Sequence, residues 1–145
     1  MGRRREGREL AVQALYQLEV TGEEGAGGLS EFWRNFESTE AGRDFARQLV
    51  AGVQQERQRI DRLIADAAEH WRMGRMSKVD VCVLRVAVYE LLACGDVPTR
   101  VAIDEAIEIA RRFGSEDSAA FVNGVLDRVA RELGVKGRGD EDRQA

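Results

Sequence analysis

Ser77-Lys78-Val79-Asp80-Val81-Cys82-Val83-Leu84-Arg85-Val86-Ala87-Val88-Tyr89-Glu90-Leu91-Leu92 is the stretch on which the fold turns. Its β-branched residues invite a strand, yet a near-continuous apolar run of this length without a turn signal exceeds an ordinary strand. Ser77 supplies an N-cap side chain, so the stretch is expected to be a helix. Its apolar residues wrap nearly the whole circumference, which means burial on several sides and predicts the central helix of the C-terminal half. Arg85 and Glu90 interrupt that surface, and a charge there must snorkel, pair or face a partner. A structural ion pair is the simplest role for Arg85.

Working outward, the same three- and four-residue spacing recurs. Leu10, Ala11, Ala14, Leu15 and Leu18 mark an amphipathic helix over 8–20, ended by Thr21-Gly22. Glu23 to Gly28 is glycine-rich and reads as a flexible loop. A short helix follows with Leu29, Phe32, Trp33 and Phe36 on one face; another spans about 40–54 on Phe45, Ala46, Leu49, Val50 and Val53; a fourth carries Ile60, Leu63, Ile64, Ala67 and Ala68. Gly95-Asp96-Val97-Pro98 breaks the central helix. Ile103, Ala106, Ile107 and Ala110 form a sixth, with Gly114 expected as a left-handed cap. Ser115-Glu116-Asp117-Ser118 opens a seventh, with a capping side chain and two acids at the positive end of the dipole, running through Phe121, Val122, Val125, Leu126, Val129, Ala130 and Leu133 to Gly134. The expected fold class is all-α, with about seven helices. A single domain over 1–135 is expected, split into bundles at about 8–54 and 55–134, with 136–145 disordered.

The composition agrees. A chain of 145 residues suits one domain, and 43% hydrophobic with 33% charged residues fits neither a disordered nor a membrane protein. One proline and 6% aromatic residues favour helices over strands. No apolar run approaches the ~20 residues of a spanning helix, and the arginine-rich start lacks a signal core, so the expected location is the cytoplasm. Cys82 and Cys94, if on one helix, lie about 18 Å apart, beyond disulfide reach, and read as two buried thiols. His70 is the lone histidine, which leaves neither a zinc site nor a convincing nucleophile set; no metal, cofactor or catalytic residue is expected. Asp104 and Glu108 share a helix face, but without histidines they read as a solvated face in which Glu108 pairs with Arg111 or Arg112.

Charge is unevenly placed. Residues 1–8 carry Arg3, Arg4, Arg5 and Arg8 against Glu6; with this arm at +3 and the tail after 135 balanced, the total of −4 leaves −7 on the body. A basic arm on an acidic body favours a polyanion such as nucleic acid. Asn123-Gly124 places a glycine inside a helix at a cost of about 1 kcal/mol, which points either to a tight helix crossing or to a surface where a ligand backbone lies close. Asp117 and Phe121, one turn apart, are expected at the rim of a groove.

Four blocks then carry a resemblance: Arg8-Glu9-Leu10-Ala11-Val12-Gln13-Ala14-Leu15-Tyr16; Val83-Leu84-Arg85-Val86-Ala87-Val88-Tyr89-Glu90-Leu91; Val97-Pro98 with Val101-Ala102-Ile103-Asp104-Glu105-Ala106; and Phe113-Gly114-Ser115-Glu116-Asp117-Ser118 with Phe121-Val122-Asn123-Gly124-Val125-Leu126-Asp127. In this order, over roughly 3–133, the sequence resembles the NusB family of transcription antitermination factors. The resemblance implies two small helical bundles packed crosswise. It also implies an RNA-binding adaptor, not an enzyme, that joins the ribosomal protein NusE and binds boxA RNA so that RNA polymerase reads through terminators, notably in ribosomal RNA operons. Carried onto this chain, it implies RNA contacts from Arg4, Arg5, Arg8, Arg111 and Phe121, and partner contacts from Tyr16, Asp80, Asp117 and Phe121. Glu6 and Gly7 depart from the family's basic, alanine-containing run, which is expected to weaken RNA affinity or fray the helix start; Asp104 replaces a frequent asparagine. A NusB-like domain also begins some RNA cytosine methyltransferases, a reading the chain's length disfavours. The alternative in another class is a helical homodimer that binds only protein.

Overall fold

The computed structural model describes residues 2–22, with side chains from Arg4 on, and 29–36, 38–68 and 76–140. The glycine-rich stretch 23–28, His70 and residues 141–145 lie outside the described residues. Seven helices are described: α1 (Gly2–Thr21), α2 (Ser30–Asn35), α3 (Glu40–Gln55), α4 (Arg57–Ala67), α5 (Lys78–Ala93), α6 (Thr99–Phe113) and α7 (Ser118–Leu133). The fold is all-α, as the periodicity predicts, and no strand occurs among the described residues.

Helix α5 is the hub, packing against α1, α3, α4, α6 and α7. It begins where Ser77 accepts a hydrogen bond from the Asp80 amide at 3.0 Å, and Val83, Leu84, Val88 and Leu91 are fully buried. Of its three buried charged residues, Asp80, Arg85 and Glu90, the last two are paired. Arg85 donates to both oxygens of Asp61 on α4 and to Glu19 on α1. Glu90 accepts two 2.8 Å bonds from Arg8 on α1. The charges that break the apolar pattern of α5 thus tie α1 and α4 to it.

Helix α1 starts six residues before the expected boundary and packs along α3. Glu6 and Gly7 do not fray it. Glu6 accepts from the Thr39 amide at 2.6 Å and from the Thr39 hydroxyl at 3.2 Å, anchoring the N-cap residue of α3. A Cβ on Gly7 would sit 2.7 Å from the Phe45 ring and 2.9 Å from the Gly42 carbonyl oxygen, so glycine lets α1 and α3 meet there. The tight helix crossing considered for Gly124 occurs instead at Gly52, where a Cβ would fall 2.1 Å from the Tyr89 ring; nothing lies within 4 Å of one on Gly124.

Two helix ends differ from expectation, and a third, at Gly134, falls where expected. Gly114 is extended, not left-handed (φ −98°, ψ −167°), and is needed for space, because a Cβ would lie 2.4 Å from Ser118 Oγ. Ser115 does not cap α7; its amide donates to Ser118 Oγ at 2.9 Å, and Asp117 holds the N-cap position without a side-chain bond. The left-handed cap is Gly134, with φ 71°. Its amide bonds the Arg131 carbonyl while the Val135 amide reaches back to Ala130, closing the helix by paired bonds.

Residues 136–140 are folded, contrary to the expected disordered tail. Arg138 donates to the carbonyls of Glu90, Leu91 and Val97, placing a cation at the negative end of α5. Its own carbonyl accepts from the Thr99 amide, and the Thr99 hydroxyl donates to the Val135 carbonyl. The strap satisfies backbone groups where α5 ends and α6 begins. Cys82 and Cys94 are free and buried, and burial pushes the Cys82 thiol up to about 12.

Candidate nucleic-acid and partner interface

The N-terminal half of α1 lies beside α6, and the two exchange charges of alternating sign. Arg5 makes a bidentate pair with Glu105 at 3.1 and 2.9 Å, and one turn further Glu9 accepts from Arg112 at 2.7 Å. Arg4 reaches Asp96, in the turn before α6, at 3.0 Å, and its guanidinium lies 4.8 Å from the Phe45 ring centroid. The Arg4 hydrogen bond holds the Asp96 carboxyl below its ordinary range. Arg4 and Arg5 are half or more exposed. Asp96 is exposed as well, so solvent screens its pair with Arg4 and an incoming phosphate can replace that carboxylate at little cost, whereas Glu105 is 15% exposed and holds Arg5 by both oxygens.

Arg8 is different: the structure buries this side chain, for which a phosphate contact was expected. Its side chain is 4% exposed, its fork is filled by a Glu90 carboxylate that is 1% exposed, and Glu105 stands 3.7 Å away. Arg8 sits one helical turn after Arg4, on the inward side of the helix that presents Arg4 and Arg5. In this conformation it supports that helix and is not open to a ligand.

Arg111 is exposed and pairs with Glu108 at 2.6 Å, one of the two pairings expected for Glu108. Asp117 is exposed and Phe121 half-buried against the core, with the Phe121 amide bonded to the Asp117 carbonyl at 3.2 Å. Asn123 and Gly124 are also exposed. With no close helix crossing at Gly124, the alternative of a surface open to a ligand backbone remains for this face of α7.

The second half of α1 borders an apolar groove of about 430 Å³ that also takes in α2, α5 and the end of α6. Tyr16, Val20, Phe36 and Phe113, the exposed large hydrophobic side chains of the described residues, all line it. Convergence of exposed apolar side chains on one concave surface is a feature of surfaces that bind other molecules. Tyr16 was singled out from the sequence; Val20, Phe36 and Phe113 were not. The signals were there, since Val20 lies in the last turn of α1 off its buried stripe and Phe113 precedes Gly114 off the stripe of α6. Asp80 follows Val79, which lines the groove, and is buried; its Oδ1 has no hydrogen-bond partner among the described residues. An orphaned buried carboxylate oxygen costs about 1–3 kcal/mol or more until a donor arrives.

A small helical molecule whose first helix offers exposed cations at its start and an open apolar groove at its end belongs to the class of macromolecular adaptors, built to hold other chains. A family model described as the NusB family matches residues 5–131. The chain belongs to the NusB family. The transcription antitermination protein NusB of Geobacter sulfurreducens is 49% identical over 138 residues, covering 94% of this chain and 100% of that protein. The solved NusB of T. maritima is 40% identical, with a TM-score of 0.80 over 98% of this chain and 97% of that one. A structure of antitermination factors NusB and NusE in complex with dsRNA shares the fold, with a TM-score of 0.77 at 24% identity, over 91% of this chain and 98% of that one.

Proposed function

We propose that this chain is an RNA-binding transcription antitermination factor, without enzymatic activity, acting in the cytoplasm. In this reading it joins NusE and binds boxA RNA, supporting read-through by RNA polymerase, notably in ribosomal RNA operons. The observation that carries the proposal is the arrangement of α1: exposed Arg4 and Arg5 at its start, and the Tyr16 groove at its end, with α6 flanking both. One helix then presents RNA and protein contacts side by side.

Arg4 and Arg5 meet phosphates, exchanging Asp96 and Glu105 for the ligand, and Arg111 adds a third cation across α6. Phe121 offers a ring for base stacking, and Asp117 stands beside it where RNA and partner meet. Tyr16, with Phe113 and Phe36, fills the core of the NusE contact, while Asp80, expected to touch the partner, is buried beside Val79 at its edge. Arg8 acts indirectly by fixing α1. The relatives' names and the solved assembly of NusB, NusE and RNA support this assignment. We also read the chain as two bundles, about 8–54 and 55–134, with α5 of the second packed against α1 and α3 of the first.

Replacing Arg4 and Arg5 with Ala tests the RNA half. Affinity should fall, and the log–log salt slope should flatten by about 1.4, or about 0.7 per phosphate lost on a single strand. The melting temperature should barely move. Tyr16→Asp tests the partner half: a folded variant that no longer captures NusE supports the groove, and undiminished capture refutes it. If a second copy covers the groove instead, sedimentation will show a concentration-dependent dimer that Tyr16→Asp dissociates, with no NusE bound.

A further inference from the structure

The sequence places Trp33 on the apolar face of α2, and neither the charged edge of α1 nor the Tyr16 groove uses it. The Phe32 ring meets the indole edge-on, with centroids 5.2 Å apart, while Trp33 itself is half-buried. A separate groove of about 470 Å³ opens between α2 and α3 at this indole. Arg34, Arg43 and Arg47 line it together with Trp33, and its described lining contains no carboxylate. The Arg47 guanidinium lies 5.5 Å from the Trp33 ring centroid, and Arg43 donates to Ser38 Oγ at 3.3 Å.

These three cations contrast with those of α1. Arg4, Arg5 and Arg8 are each neutralised by a carboxylate. Among the described residues, no carboxylate lies within ion-pair distance of Arg34, Arg43 or Arg47. Three guanidinia gathered on one face without a carboxylate within ion-pair distance among the described residues make a local positive potential that attracts an anion, even in a chain of net charge −4. Arg43 and Arg47 are one turn apart, about 6 Å along α3. Phe45, which carries Arg4 on its ring, is two positions from either and so lies on the opposite flank of the helix, about 200° around. The groove is therefore distinct from the charged edge of α1.

We infer that the α2–α3 groove is a second RNA site, which takes a single-stranded segment outside the one held at α1, with Arg43 and Arg47 on consecutive phosphates and a base stacked on Trp33. The Arg47 guanidinium lies over the indole, and a base stacking on Trp33 takes its place while Arg47 turns to a phosphate, an arrangement that suits single-stranded nucleic acid of any sequence. The lining is half apolar, which suits bases more than a bare phosphate. An acidic protein would satisfy the arginines but would not need the ring. The inference rests on the RNA-binding reading above.

The test compares a short boxA RNA with the same RNA carrying single-stranded extensions on both sides, bound by wild type, Trp33→Ala, Trp33→Phe and the double variant Arg43→Ala/Arg47→Ala. Wild type should bind the extended RNA more tightly. The double variant should lose that gain, with a salt slope lower by about 1.4 on the extended RNA alone. Trp33→Ala should weaken the extended complex at least about fivefold, and Trp33→Phe should retain most of its affinity. In a Trp71→Phe background, Trp33 fluorescence should be quenched by the extended RNA and not by the short one. The arginines are surface residues, so the double variant reports even if Trp33→Ala loosens the fold. Wild type binding both RNAs equally, or variants retaining the gain, overturns this inference alone. Wild type binding neither RNA overturns the proposed function and the second site with it. Quenching by an acidic protein but not by RNA assigns the groove to protein and also overturns the inference.

Discussion

Arg8→Met isolates the contribution of one buried ion pair. The substitution keeps an unbranched side chain of similar reach but leaves the Glu90 carboxylate, 1% exposed, without the two 2.8 Å bonds it now accepts. Breaking a buried pair from one side typically costs about 3–5 kcal/mol, because the remaining charge is desolvated and uncompensated. Unfolding entropy of about 2.1 cal/mol/K per residue gives about 0.3 kcal/mol/K for this chain, so the melting temperature should fall by roughly 10–16 °C. Adding Glu90→Leu removes the orphaned charge and should restore most of the loss, since a buried pair replaced on both sides is often near neutral. Thermal melts followed by circular dichroism at pH 7 measure all three proteins. An RNA titration well below the melting temperature should show a wild-type salt slope for Arg8→Met. A melt within about 2 °C of wild type, with a salt slope lower by about 0.7, would refute the reasoning and return Arg8 to a phosphate contact.

Three further outcomes follow from the packing and the ionisations. The Arg85 hydrogen bond lowers the Glu19 carboxyl below its ordinary 4.5. The stabilisation is therefore complete above the unfolded value and lost as pH falls through the lower folded one; Glu19→Gln should flatten the acid limb of melting temperature against pH, and an unchanged limb would rule the linkage out. Gly52→Ala drives a methyl into the Tyr89 ring and should destabilise by about 1–3 kcal/mol, whereas Gly124→Ala meets open space and should stabilise by up to about 1 kcal/mol; reversed signs in denaturant titrations would contradict both placements. With its thiol pushed up to about 12, Cys82 should resist a disulfide reagent at pH 8 until the protein unfolds, and labelling of the native protein at that residue would show otherwise.

Much of the fold was legible because helix periodicity survives in single residues. The all-round apolar pattern of α5 marked a helix buried on several sides, and its two misplaced charges, Arg85 and Glu90, marked where other helices are tied to it. What periodicity cannot carry is the identity of a partner far along the chain. Nothing local pairs Arg8 with Glu90 or Glu6 with Thr39, so a buried arginine looked like its exposed neighbours, and a helix-anchoring glutamate looked like a defect in a basic run. The glycines show the same limit: Gly52, Gly114 and Gly124 are alike in sequence, but one lies under a ring, one under a hydroxyl, and one in open space. Residues 136–140 read as tail because their ordering depends on carbonyls that α5 presents from elsewhere. The groove was half legible, since Tyr16 came from family resemblance while Val20, Phe36 and Phe113 needed the geometry that gathers them.

The central claim is that α1 brings an RNA-binding edge and a NusE-binding groove together on one small protein. Titrating labelled boxA RNA with the chain, alone and then saturated with NusE, over a range of salt concentrations tests it most directly. Salt-dependent binding by the chain alone is expected, with a tighter complex once NusE occupies the groove. Absence of RNA binding under both conditions, or an affinity that NusE leaves unchanged, would contradict it.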